Sequence, residues 1–108
     1  MTLDDYQRLA ARTLGADRSR EQQLANVALG LTGEAGEVAD IIKKHLFHAW
    51  PLDRDAFAAE LGDCLWYIAA LATALDLSLD DIASGNVEKL RRRYPDGFDV
   101  ERSRNRAE

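Results

Sequence analysis

The chain has little of what usually fixes a fold or a function by itself. A single cysteine, Cys64, leaves no partner for an intrachain disulfide. Its position inside an apolar helical stretch reads as an inert core thiol rather than a nucleophile. Two prolines and seven glycines leave few breakers, and most fall where helices would end or join. No segment keeps the period-two alternation of a strand. No apolar run approaches the roughly 20 residues of a membrane-spanning helix. Residues Met1 to Asp5 lack the basic and apolar regions of a secretion signal, so the expected compartment is the cytoplasm, without a membrane partner. A surplus of cations is missing too. The net charge of −5 argues against a nucleic-acid partner, which would need Lys and Arg to displace counterions.

What is present is helical periodicity, in one domain's length of 108 residues with 46% apolar and 31% charged side chains. A core this small gains from oligomerisation. The spacing predicts four helices. The first covers about Leu3 to Leu14, with Thr2 as cap, Asp5 at the capping-box position and Gly15 as its stop. The second covers about Glu21 to His45. The third follows the cap Asp53 and reaches about Leu75. The fourth starts at the cap Ser78 and stops at Tyr94-Pro95-Asp96-Gly97. Residues 99–108 form a polar, arginine-rich tail whose composition favours disorder. Leu24, Val27, Leu31, Ala35, Val38 and Ile42 form an apolar stripe on the second helix, and Phe57, Leu61, Cys64, Ile68, Leu71 and Leu75 one on the third. Both fit a bundle core.

Glu34 and Glu37 stand three apart on the second helix, and Glu60 and Asp63 three apart on the third. Residues at this spacing share a face, and both pairs sit at the rim of their stripes. Antiparallel packing of the two helices therefore brings four acids to one edge of the interface. Carboxylates crowded in a partly dry setting repel one another and lose hydration, so they require protons or cations. Hard divalent ions with oxygen ligands satisfy them, Mg²⁺ above all where phosphates complete the octahedron. One such pair alone is ordinarily a solvated face; two at core rims are harder to dismiss. His45 and His48 read as surface or loop residues, not ligands.

Gly33-Glu34-Ala35-Gly36-Glu37 followed by Glu60-Leu61-Gly62-Asp63 resembles the Glu-x-x-Glu … Glu-x-x-Asp signature of the MazG-like nucleotide pyrophosphohydrolases, in the all-α NTP pyrophosphatase superfamily. Leu3-Asp4-Asp5-Tyr6-Gln7 is similar to the family's opening helix, Leu65-Trp66-Tyr67 to the run after its last acid, and residues 86–98 to its closing segment. The resemblance implies an all-α, four-helix bundle-type catalytic domain over residues 1–98, assembled as a homodimer or homotetramer. It implies hydrolysis of NTPs or dNTPs between the α and β phosphates, in a nucleotide-pool clean-up role. It makes Glu34, Glu37, Glu60 and Asp63 the Mg²⁺ ligands, with Mn²⁺ a substitute and Glu37 the choice for general base. Lys89 and Arg93 become phosphate contacts, although without the resemblance a basic last turn complementing the helix dipole explains them better. Tyr67 reads equally as a substrate or carboxylate contact and as a core tyrosine. Relatives selective for cytosine stack the base on tryptophans near the second helix. Here Lys44 stands where such a residue is expected, Trp50 falls in the following loop, and Trp66 projects from the far side of the third helix as a subunit contact. The competing readings are a phosphoribosyl-ATP pyrophosphohydrolase, a dimeric dUTPase-like enzyme, and a non-catalytic helical interaction module.

Overall fold

The computed structural model describes residues 1–106. Among them run five helices: α1 (Leu3–Ala11), α2 (Arg20–Phe47), α3 (Arg54–Ala74), α4 (Leu79–Arg93) and α5 (Val100–Arg104). No strand occurs among the described residues. α1, α3 and α4 begin at the predicted caps, and α2 begins at a cap, Ser19, that the sequence reading did not name. The Thr2 hydroxyl accepts from the Asp5 amide while the Asp5 carboxylate accepts from the Thr2 amide, a complete capping box; Ser19 and Gln22 build another on α2. Asp53 and Ser78 cap α3 and α4.

Two helix assignments change. α1 stops at Ala11, a turn short of Leu14, because residues 12–14 tighten into i→i−3 bonds such as Thr13 N–H to the Ala10 carbonyl. The tail, whose composition favours disorder, carries a short helix, α5. The Asp99 carboxylate accepts from the Glu101 and Arg102 amides and starts α5. The last two residues of the predicted tail, 107–108, lie outside the described residues.

α3 is the hub, with α2 packed antiparallel on one side and α1 on another. It is 21 residues long, and its most apolar 18-residue window has a mean hydropathy of 1.2, so by length and composition alone it could cross a bilayer, although four charged residues interrupt it. Glu60, Asp63 and its contacts with α1 and α2 are those of a bundle helix. Its smallest residues make the closest contacts: Ala69, Ala70 and Ala72 are buried, and Tyr6 and Trp66 pack on a cluster of Ala10, Ala69 and Leu79.

α4 is tied to α1 by polar bonds. The Asp4 carboxylate accepts from the Ser78 hydroxyl and the Asp80 amide, at 2.9 and 3.0 Å. The Gln7 side chain accepts from the Leu79 amide and donates to the Leu77 carbonyl and the Thr73 hydroxyl. These two side chains clasp the turn from α3 to α4 and satisfy amides that begin α4.

The single chain is open. Its accessible surface is 8023 Å², whereas a compact monomer of 12.0 kDa exposes about 6,000 Å². Its radius of gyration is 17.0 Å against about 13 Å for a compact domain of this length. The predicted stripe on α3 is part of the reason. Leu61, Ile68 and Leu75 remain 48%, 39% and 45% exposed, so only part of the stripe faces the seam with α2. The face that meets α2 carries Glu60, Cys64, Tyr67 and Leu71, all half-buried. That face is rotated toward the acids because Tyr67 fits against a glycine of α2.

A candidate metal centre at the seam of α2 and α3

The seam is set by a close approach. A Cβ on Gly30 would lie 2.2 Å from the Tyr67 ring, so only a residue without a side chain lets that ring lie flat on α2. One turn further along α2 come Glu34 and then Glu37, and two turns back along α3 comes Glu60. Tyr67 is therefore a packing residue of the seam, with its ring edge-on to Trp66 at 4.9 Å.

Glu34, Glu37 and Glu60 offer carboxylate oxygens that all lie within 4.8 Å of one another. Oxygens facing each other across a Mg²⁺ ion are about 4.2 Å apart, so small side-chain rotations close such a group on an ion. Glu34 and Glu60 each bury one oxygen with no hydrogen-bond donor among the described residues. Orphaned buried oxygens are costly, and a cation is what a set made only of carboxylates can share. Glu37 stays exposed.

The electrostatics agree. The carboxyl of Glu60 is pushed up to about 7, first by its hydrogen-bonding contact with Glu34, then by Glu37, then by burial. No positive side chain contributes to the shift. In the absence of an ion the cluster therefore keeps a proton where it would otherwise hold a cation.

Asp63, the fourth expected ligand, is not in this group of three. It is exposed on α3, near enough to Tyr6 that its charge, after burial, raises the Tyr6 phenol above its ordinary value. Sequence reasoning missed Tyr6 because its closeness to Asp63 depends on how α1 docks. Lys89 is half-buried and has no ion pair among the described residues. Arg93 lines a cavity at the far end of α4 with Arg92, Arg102 and Arg106.

The residues around Trp50 organise a loop. The Lys44 ammonium sits 4.7 Å from the Trp50 ring centre and pairs with Asp40 at 2.9 Å. The Nδ1–H of His45, an exposed residue in the last turn of α2, donates to the Trp50 carbonyl at 2.8 Å. Trp66 corrects an expectation. Its Nε1–H donates to the Thr13 hydroxyl at 2.7 Å, joining α3 to α1 within the chain instead of projecting to a neighbouring subunit.

The described residues form helices and no strands, with a trio of carboxylates at one helix seam that could share a metal ion. The comparisons narrow this. The family model of the MazG nucleotide pyrophosphohydrolase domain matches residues 22–98, and the chain belongs to that family. It is 38% identical over 105 residues to the Gene 37 protein of Mycobacterium phage L5, covering 90% of this chain and 92% of that protein. It is 37% identical over 102 residues to dCTP pyrophosphatase 1 of Bos taurus, covering 87% of this chain and 60% of the relative. For dCTP pyrophosphatase 1 of Homo sapiens the values are 36%, 87% and 59%. The chain thus spans about three fifths of the length of those pyrophosphatases. No solved structure matches it.

Proposed function

We propose that this chain hydrolyses nucleoside triphosphates between the α and β phosphates, releasing a monophosphate and pyrophosphate. The observation that carries the reading is the carboxylate trio, with an unpartnered buried oxygen on Glu34 and on Glu60. Membership of a pyrophosphohydrolase family supports the reaction class. Glu34, Glu37, Glu60 and Asp63 would hold Mg²⁺, with Mn²⁺ as a substitute. When bound, the ion neutralises phosphate oxygens that shield the α-phosphorus from attack.

The chain's own groups do the rest. Glu34 and Glu60, half-buried on two packed helices, give the cluster a fixed floor. Glu37 is exposed, so its carboxylate has the access needed to orient a water and take its proton. Lys89 and Arg93, from the last turns of α4, are the cations assigned to the phosphate chain, Lys as a point charge and Arg as a fork. Tyr67 keeps α2 and α3 at the spacing the acids need.

The working form is a homo-oligomer, a dimer or a pair of dimers. An excess of about 2,000 Å² over a compact monomer, with Leu61, Ile68 and Leu75 bare, supports this. Light scattering on the purified chain is expected to return at least a dimer; a monomer would overturn this part.

Two relatives are named for dCTP, which makes dCTP the first substrate to try. The chemical test is product identity from a panel of nucleotides with Mg²⁺. Monophosphate plus pyrophosphate is expected. Diphosphate plus phosphate would overturn the bond assignment, and no product from any nucleotide would overturn the reading and favour the interaction module.

A further inference from the structure

The other concentration of like charge lies at the end of the chain. α4 ends in Arg91-Arg92-Arg93, and Tyr94 to Phe98 turn the backbone around. The turn is specific. Gly97 has φ +93, which a side chain would strain, and its amide donates to the Tyr94 carbonyl at 3.1 Å. The Tyr94 and Phe98 rings meet at 5.3 Å across it. Asp99 then starts α5, which brings Arg102 and Arg106 back toward Arg92 and Arg93. The result is a cavity of about 660 Å³ walled by these four arginines with Asp99 and Glu101.

Four guanidinium groups stay charged at any ordinary pH and repel one another when gathered. Of the two wall carboxylates, Asp99 already accepts two amides of α5. Arg92, Arg102 and Arg106 have no ion pair among the described residues, whereas Arg91, outside the cavity, pairs with Glu88 at 2.6 Å. A concave cationic wall in a chain of net charge −5 calls for an anion. The cavity is within the usual size range of small-molecule sites, roughly 300–1,000 Å³. It forms one pocket and not a stripe, which favours a compact polyanion over a nucleic-acid strand.

We propose that this cavity binds a di- or triphosphate chain, with an affinity that does not depend on a metal ion at the carboxylate trio. Arg92, Arg102 and Arg106 line it, and a guanidinium can clamp phosphate oxygens in a bidentate fork. Arg93 is the one wall residue shared with the hydrolytic reading, so the test leaves it untouched. The same phosphate chemistry is offered by free pyrophosphate or tripolyphosphate and by the tail of a nucleotide.

The experiment is calorimetric titration of the full chain in EDTA with pyrophosphate, tripolyphosphate and a nucleoside triphosphate. Saturable binding is expected without metal, weakening by about tenfold or more in the Arg102→Gln, Arg106→Gln double variant and unchanged in Arg91→Gln. Equal affinity for tripolyphosphate and the nucleotide would assign the free anion; tighter nucleotide binding would assign the nucleotide tail. Either supports the site. Gly97→Ala keeps every charge but strains the turn, and it is expected to weaken binding as well. No metal-free binding, equal loss in Arg91→Gln, full binding in Gly97→Ala, or a preference for an oligonucleotide would overturn the proposal. Because metal is absent throughout, failure here is separable from failure of hydrolysis, which is read as pyrophosphate release in Mg²⁺.

Discussion

The molecule gathers like charges twice, by different means. At the seam, acids are brought together by two long helices that pack because Gly30 admits the Tyr67 ring. At the chain end, arginines are brought together by a five-residue turn and a five-residue helix. The first arrangement is stiff: its charges sit on 28- and 21-residue helices, and crowding shows in the raised Glu60 carboxyl, which holds its proton more tightly. The second rests on one glycine and one cap, and its side chains remain largely solvated. A rigid element can hold repelling groups half-buried, whereas a short hairpin of chain holds them only where water still screens them.

The comparison breaks most sharply at the acids. Glu60→Gln or Glu37→Gln is expected to lower turnover by about 10³-fold or more, some 4 kcal/mol of transition-state stabilisation. The circular dichroism spectrum should stay helical. Turnover within a few-fold of wild type in either variant would remove the site assignment. Asp63→Asn is expected to abolish turnover too, and it tests whether the acid standing apart from the trio joins the working site.

Next in size is the seam itself. Gly30→Val drives two methyl groups into the Tyr67 ring and is expected to cost about 1–3 kcal/mol. In a domain of this size each kcal/mol lowers the melting temperature by about 4–8 °C. Adding Tyr67→Ala to Gly30→Val should restore part of the loss, because the collision is with that ring. No recovery in the double variant would deny that this contact sets the seam.

A pH effect follows from Glu60. Its folded carboxyl holds a proton up to about 7, above the ordinary 4.5, so the folded chain binds that proton more tightly than the unfolded chain. This contribution to stability is full below the unfolded value and is lost as pH rises through about 7. Metal-free protein should therefore melt at a higher temperature near pH 5 than near pH 8, as far as this group is concerned. Glu60→Gln should flatten the dependence, and a divalent cation should stabilise the chain most at the alkaline end. An unchanged slope in Glu60→Gln would refute the assignment.

The smallest effect is at the clasp on α4. Asp4→Ala is expected to cost about 1 kcal/mol, the usual loss for a cap-like carboxylate on helix amides, read as a fall of a few degrees in melting temperature. No change at all would make the clasp incidental.

Much of this was legible in the residues and some was not. Thr2, Asp53 and Ser78 are local signals, because a cap bonds amides two or three residues away; Ser19 is a signal of the same kind that went unread. The acids were legible for a similar reason, since three-residue spacing on a helix fixes a shared face. Asp63 shows the limit: spacing put it beside Glu60, but the rotation of α3 left it outside the trio. Trp66 shows the same limit, because its partner Thr13 is 53 residues away. The helix in the tail went unread because composition averages over all its residues, while α5 depends on one carboxylate at its first amides.

The sequence by itself determined that this chain is helical, where its long helices begin, and which acids could meet, because those properties act over three or four residues. Tertiary structure alone decided which face of α3 meets α2, which three carboxylates converge, how Asp4 and Gln7 hold α4, and that four arginines surround one cavity. Those outcomes depend on contacts between residues far apart in the chain, and no local pattern encodes the angle at which two helices come to rest.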